Sequence, residues 1–243
     1  MTRHVLILGD SLTFHGPQRP EALTDPRLYP NVMATRLAEA THDDVRVDVV
    51  ARLGWTARDA WWALTKDPNV ATVLALRASA VVLAVGQMDH PPAALPTYLR
   101  DGIPYVRPGW LRRAARDAYR SAGPRVIRAT GGRLRQLPQA ATDTYLTRVT
   151  QAMRHLSLLG KGLPVVLLAP SPHAAVAYPS QRHHAPAVRA ARTWAAANGV
   201  RLVDLDPIVQ PSLDAGTGNP DGMHWSWDVH QAVGSALAEQ LQP

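Results

Sequence analysis

Val5-Leu6-Ile7-Leu8-Gly9-Asp10-Ser11-Leu12 is the stretch on which the reading of the fold turns. Residues 5–8 are four apolar residues in a row with no polar face, the pattern of a strand buried on both sides of a parallel sheet. Gly9 ends the run and permits a tight backbone. Asp10 and Ser11 follow at once, so the polar groups fall at the strand's C-terminal end. A serine hydroxyl is a weak nucleophile until a base takes its proton, and a strand-to-loop junction exposes it to base and substrate alike. Ser11 is therefore the first candidate catalytic residue.

Working outward, β-branched and apolar runs at 45–50, 81–85, 165–169 and 200–205 give four further expected strands. Helical periodicity lies between and after them, at 31–40, 57–66, 142–159, 185–198 and 227–241. Gly160 and Gly162 stop the third of these, and Gly199 the fourth. Ser226 is the expected N-cap of the last, with Asp228 in its first turn. Strands alternating with helices imply an α/β fold, a five-stranded parallel sheet covered on both faces. In such sheets the chemistry sits beyond the C-terminal strand ends. Residues 87–141 break the alternation: they hold no clear strand and are rich in proline and arginine. They are expected to form a cap-like helical insertion after the third strand, inside a single domain spanning 1–243.

With 243 residues and 46% hydrophobic content the chain can bury one sizeable core. It contains no cysteine, which excludes disulfides, a cysteine-based zinc site and a cysteine nucleophile. The net charge of +7 suits a soluble arginine-rich surface or an anionic small-molecule partner. Nucleic acid is not expected, because no finger spacing, aromatic RNA-binding motif or helix-turn-helix pattern is present. His183-His184 lack a third ligand at suitable spacing, so no metal is expected. The run at 5–8 is shorter than the ~7–15 residues of a signal-peptide core, and no stretch approaches the ~18–20 apolar residues of a membrane span. Removal of the first strand would also remove the nucleophile. The expectation is a cytoplasmic protein without a membrane span.

Asp221-Gly222-Met223-His224 is the second motif, just before the last helix. A serine nucleophile needs a general base within hydrogen-bond reach and a carboxylate to orient that base. Asp and His three residues apart on one turn can converge in this way. By itself the pair reads as a surface acid and a helix-capping histidine; with Ser11 it reads as the rest of a triad. His230 is the rival base, with Asp228 as its partner, although that pair lies inside the helix. His4, His15, His42, His90, His155 and His173 read as surface or packing residues.

The two motifs, an isolated glycine after the second strand and the block Gly86-Gln87-Met88-Asp89 after the third resemble the GDSL/SGNH hydrolase family across the length of the chain. The resemblance implies a flavodoxin-like three-layer α/β/α sandwich, with Ser11 as nucleophile, His224 as base and Asp221 as orienting acid. It implies an oxyanion hole from the backbone N–H groups of Ser11 and Gly54 and an asparagine side chain. Met88 stands in the asparagine's place, and a thioether donates nothing. Gln87 or a residue of the insertion is a substitute donor, or the hole has two donors. Asp89 reads as a brace for the nucleophile loop rather than a catalytic group.

Gly54-Trp55-Thr56, Trp61-Trp62, Tyr105-Val106-Arg107-Pro108, Trp110-Leu111-Arg112-Arg113 and residues 218–226 are similar, more narrowly, to the diglucosylglycerate octanoyltransferases of actinobacteria, a group with this fold. That resemblance implies an acyltransferase moving octanoyl, with acyl-CoA as co-substrate and no resident cofactor, to a sugar hydroxyl. Trp55, Asp89, Arg107, Trp110, Arg112, Arg113 and Trp225 are then candidate substrate contacts, the arginines for phosphates or a carboxylate. Trp61 and Trp62 read as packing, and arginines on a helical insertion also read as a solvated face. Two other readings stay open: a simple esterase or thioesterase with the same triad, and a non-catalytic carbohydrate-binding protein of this fold.

Overall fold

A computed structural model describes residues 2–217 and 220–242. Five strands form one parallel sheet: β1 (Thr2–Gly9), β2 (Asp44–Ala51), β3 (Ala80–Ala84), β4 (Val165–Leu168) and β5 (Arg201–Val203). Their order is β2-β1-β3-β4-β5. The helices are α1 (Tyr29–Thr41), α2 (Ala57–Lys66), α3 (Ala75–Arg77), α4 (Thr97–Gly102), α5 (Gly109–Ala129), α6 (Gln139–Leu156), α7 (His184–Ala197), α8 (Asp206–Asp214) and α9 (Trp227–Leu241).

The apolar run of β1 explains the layering. Leu6 and Leu8 point to one face, where Val81, Leu83, Val165 and Leu167 join them under α2, α6 and α7. Val5 and Ile7 point to the other, with Val82, Val166 and Leu168 under α1, α8 and α9. All four β1 residues are fully buried, so neither face tolerates a polar residue. The result is the expected three-layer α/β/α arrangement.

Because β2 lies on one side of β1 and β3 on the other, the chain order reverses between β1 and β3. Parallel α/β sheets bind ligands in the crevice at such a point, and Ser11 stands at its mouth. Thr56 and Asp59 cap α2 reciprocally, and Ser226 caps α9 by accepting from the Val229 N–H at 3.4 Å.

Several elements differ from expectation. Helix α6 begins at Gln139, directly after Pro138, three residues earlier than its apolar stripe indicates. The fifth strand stops at Val203, because the chain turns at Leu205 into α8, a helix with Pro207 in its first turn that was not expected. A π-helical turn, Val70–Leu74, runs into α3 where the sequence carries no such signal. Residues 87–141 contain α4 and the 21-residue α5, on which only Gly123 and Ile127 are buried. Among the described residues no helix is long and apolar enough to cross a membrane.

Candidate active site

The nucleophile turn is set first. After β1 the chain enters a short 3-10 turn, Ser11–Thr13, capped by the Asp10 carboxylate, which accepts from the Leu12 N–H at 3.0 Å. A Cβ at Gly9 would collide with the Thr13 hydroxyl, so only glycine lets this turn fold back on the strand.

Asp10 is fully buried, and one of its carboxylate oxygens has no hydrogen-bond partner. Burial, with the nearby Asp89 carboxylate adding to it, pushes its pKa up to about 8 against the Leu12 hydrogen bond. The folded chain therefore holds a proton on Asp10 that the unfolded chain releases near pH ~4. Native stability is expected to fall as pH rises between those values. Asp10→Asn keeps the cap and removes the ionisation. Its melting temperature is expected to decline less between pH 5 and 8 than that of the wild type, as a calorimetric pH series would show.

The second loop brings the base. His224 Nε2 lies 3.1 Å from Ser11 Oγ, and His224 Nδ1 lies 2.5 Å from Asp221 Oδ2. The other Asp221 oxygen accepts from the Met223 N–H at 2.7 Å and the His224 N–H at 3.0 Å. One carboxylate thus folds the turn and orients the ring it carries. Gly222 makes the turn possible: its φ is +68°, and a Cβ there would lie 2.5 Å from the carbonyl carbon of Ala174. The Ala174 N–H donates to the Gly222 carbonyl at 2.7 Å, tying this loop to the loop that follows β4. Gly218 and Asn219, which begin the stretch read as a motif, lie outside the described residues.

Burial lowers the His224 pKa below its ordinary value, opposed by Asp221 and assisted by His15. Burial pushes Asp221 up, and the hydrogen bonds from His224 and Met223 outweigh it, leaving the carboxyl below its usual range. The result is a neutral imidazole beside a charged carboxylate at neutral pH, the state in which the ring accepts the serine proton.

Sequence reading missed His15. Its ring stacks on His224 with centroids 3.6 Å apart and 14° between planes, and its Nδ1 lies 2.6 Å from the Gly16 carbonyl. A histidine separated by 209 positions from its partner leaves no local pattern. His15 shields His224 from water and opposes its charge, so both effects lower the His224 pKa. In His15→Ala the His224 pKa is expected to rise, moving the acid limb of the kcat/KM profile to higher pH; an unmoved limb would contradict this role.

His230, the rival base, is fully buried and engaged elsewhere. Its Nδ1 accepts from the Tyr29 N–H at 3.3 Å, and its Nε2 lies 3.1 Å from the His15 carbonyl, holding the strap that carries the stacked ring.

The block after β3 is a brace. Gln87 directs its amide N–H groups to the Leu168 and Ala169 carbonyls at 3.3 and 2.8 Å, away from the role of oxyanion donor. Its Oε1 accepts from the Ser171 N–H at 2.5 Å, and Ser171 Oγ accepts from Trp225 Nε1 at 3.2 Å. Gln87 therefore positions the residue next to His224. Trp225, expected as a substrate contact, is 2% exposed and packs beside Tyr29 and His230, so it supports the loop carrying His224 from below. Asp89, also read as a substrate contact, is 1% exposed. It accepts from the Ala57 N–H at 3.0 Å and the Thr142 hydroxyl at 2.8 Å, fixing the loop that carries Gly54. Burial pushes its pKa up to about 6 against these bonds.

Gly54 is exposed, with open space over its Cα, and Trp55 beside it is half-buried. Met88 is half-buried. Arg107, Trp110, Arg112 and Arg113 gather at the start of α5 on the outside of the insertion; Trp110 is 63% exposed. Among the described residues none of these three arginines forms an ion pair with a carboxylate. His184 pairs with Asp206 at 2.7 Å, while His183 lies 2.7 Å from the Gly132 carbonyl. Among the described residues no group of three or more His, Cys, Asp or Glu is placed to hold a metal ion.

Comparison with known proteins places the chain in a family. The chain is 40% identical over 238 residues to the "Diglucosylglycerate octanoyltransferase" of Mycolicibacterium hassiacum, covering 98% of this chain and 94% of that one. It is 39% identical over 241 residues to the protein of the same name from Mycobacterium tuberculosis, covering 98% and 91%. Among solved structures, a lipase/acylhydrolase from Enterococcus faecalis superposes with a TM-score of 0.64 at 17% identity, over 98% of this chain and 95% of that one. The esterase EstA from Pseudoalteromonas sp. superposes at 0.58 and 12% identity, over 98% and 96%. These two share the fold. The model of the GDSL-like lipase/acylhydrolase family matches residues 7–232, a span that runs from β1 through the Gly9–Leu12 and Asp221–His224 motifs into α9, and the chain is an enzyme belonging to that family.

Proposed function

We propose that this enzyme transfers an octanoyl group from octanoyl-CoA to a hydroxyl of a glucosylglycerate-type sugar by way of an acyl-enzyme on Ser11. The observation that carries the reading is near-full-length identity of about 40% to relatives named "Diglucosylglycerate octanoyltransferase", in a chain whose serine, histidine and aspartate are already in register.

His224 Nε2 takes the Ser11 proton while Oγ attacks the thioester carbonyl. The oxyanion is held by the backbone N–H groups of Ser11 and Gly54. As the tetrahedral adduct collapses, the carbon–sulfur bond breaks and the CoA thiolate leaves with the proton from His224. A sugar hydroxyl then gives its proton to His224 and attacks the acyl-serine. The second collapse releases the sugar ester and returns the proton to Ser11. Asp221 keeps the Nδ1 proton in place throughout. Arg107, Arg112 and Arg113, which form no ion pair among the described residues, are cations suited to the CoA phosphates.

Water competes for the same intermediate, so transfer requires an acceptor held at high effective concentration. Incubation with octanoyl-CoA and diglucosylglycerate, with ester and free octanoate counted by mass spectrometry, separates the two outcomes. The expected result is ester in excess of octanoate at saturating acceptor. Octanoate released at one rate with and without acceptor would make the protein a thioesterase.

A further inference from the structure

A cleft of about 640 Å³ opens between the outer edge of β2 and α2, with Arg52 and Trp55, which flank the Gly54 loop, among its lining and Lys66 at the far end of α2. It is large enough for a disaccharide, within the ~300–1,000 Å³ common for small-molecule sites. Its position follows from the register: Ala51 pairs with Gly9 across the sheet. Arg52, Gly54 and Trp55 therefore leave β2 at the same sheet edge at which Ser11 leaves β1.

The wall of the cleft is aromatic and cationic. Arg52 lies 5.7 Å from the Trp55 ring centre, and Lys66 lies 4.4 Å from that of Trp62. Both cations are exposed, and among the described residues neither has a carboxylate within 4.0 Å. The two nearby acids are committed to the backbone: Asp59 accepts from Thr56, and Asp67 accepts from the Asn69 N–H at 3.0 Å. The cleft offers ring faces, two cations with no carboxylate partner among the described residues, and carboxylates each with a second oxygen able to accept from hydroxyl donors.

We propose that this cleft is the acceptor subsite, with Arg52 and Lys66 facing the carboxylate of a sugar acid and Trp55 lying along a sugar ring. The proposal rests on the transferase reading for the identity of the acceptor. A polyphosphate such as CoA fits the wall less well, because Asp59 and Asp67 repel a second and third negative charge while still accepting from sugar hydroxyls. Charge-assisted contacts of guanidinium and ammonium with a carboxylate are strong and specific, so removing either the cations or the carboxylate should cost the same interaction.

The test is binding calorimetry without any acyl donor, using diglucosylglycerate, its neutral methyl ester and CoA as three separate titrants. The wild type is expected to bind the free acid at least ~10-fold more tightly than the methyl ester. In Arg52→Gln/Lys66→Gln that preference is expected to vanish, while CoA affinity stays as in the wild type. Survival of the preference in the double variant, its absence in the wild type, or an equal loss of both acid and ester would overturn the proposal. Loss of CoA affinity instead would hand the cleft to the donor and overturn it as well. Because no turnover is involved, a wild type that binds the acid by this rule yet never acylates it would sink the transferase reading and leave the subsite standing.

Discussion

Ser11→Ala is expected to lower octanoyl transfer by about 10⁶-fold, the scale seen when a triad serine is removed elsewhere. The substitution deletes one oxygen at a position 5% exposed, and alanine fits the same 3-10 turn. Asp10 continues to cap that turn through the Leu12 N–H, so the melting temperature should stay close to that of the wild type. What is lost is the atom that attacks and carries the acyl group. A residual rate should survive from the Ser11 and Gly54 backbone N–H groups, which alanine at position 11 does not remove. A variant that retained a hundredth of the activity would mean that another nucleophile carries the reaction.

Asp221→Asn is expected to lower kcat by about 10³–10⁴-fold. Its oxygen can still accept from the Met223 and His224 N–H groups and keep the turn. The amide NH₂ then faces His224 Nδ1, which must become an acceptor, so the proton moves to Nε2. A ring protonated on Nε2 donates toward Ser11 Oγ and cannot take its proton. The loss should fall on kcat rather than on acceptor KM, because Asp221 orients the base and belongs to the catalytic loop, away from the cleft beside Trp55. A steady-state comparison at pH 7 and pH 9 would show the loss at both values, since the fault is in tautomer rather than in ionisation.

Both groups were legible in the sequence because each sits in a short motif at a strand end or helix start. The strands were legible because parallel burial leaves uninterrupted apolar runs such as 5–8. Other features depend on contacts far apart in the chain. His15 acquires its role only when residue 224 folds onto it. Trp225 reads as a substrate wall until Tyr29 and His230 enclose it. Gln87 stands beside the missing oxyanion asparagine and so reads as its replacement, yet the end of β4 lies close enough to the end of β3 for its amide to bond there instead. Helix α8 was hidden because Pro207 and Pro211 lower its helical signal, although a proline in the first turn costs no hydrogen bond. The role proposed for Arg52 and Lys66 was invisible because it depends on their having no carboxylate within 4.0 Å among the described residues, which a sequence does not display.

Ser11 is proposed to carry the acyl group between donor and sugar. Intact-mass spectrometry of the protein mixed with octanoyl-CoA, beside Ser11→Ala and with diglucosylglycerate added in a second step, tests it most directly. A single octanoyl adduct is expected on the wild type, absent from the variant, that disappears as octanoylated sugar forms. Sugar ester formed at the wild-type rate by Ser11→Ala, or an adduct that persists in that variant, would contradict it.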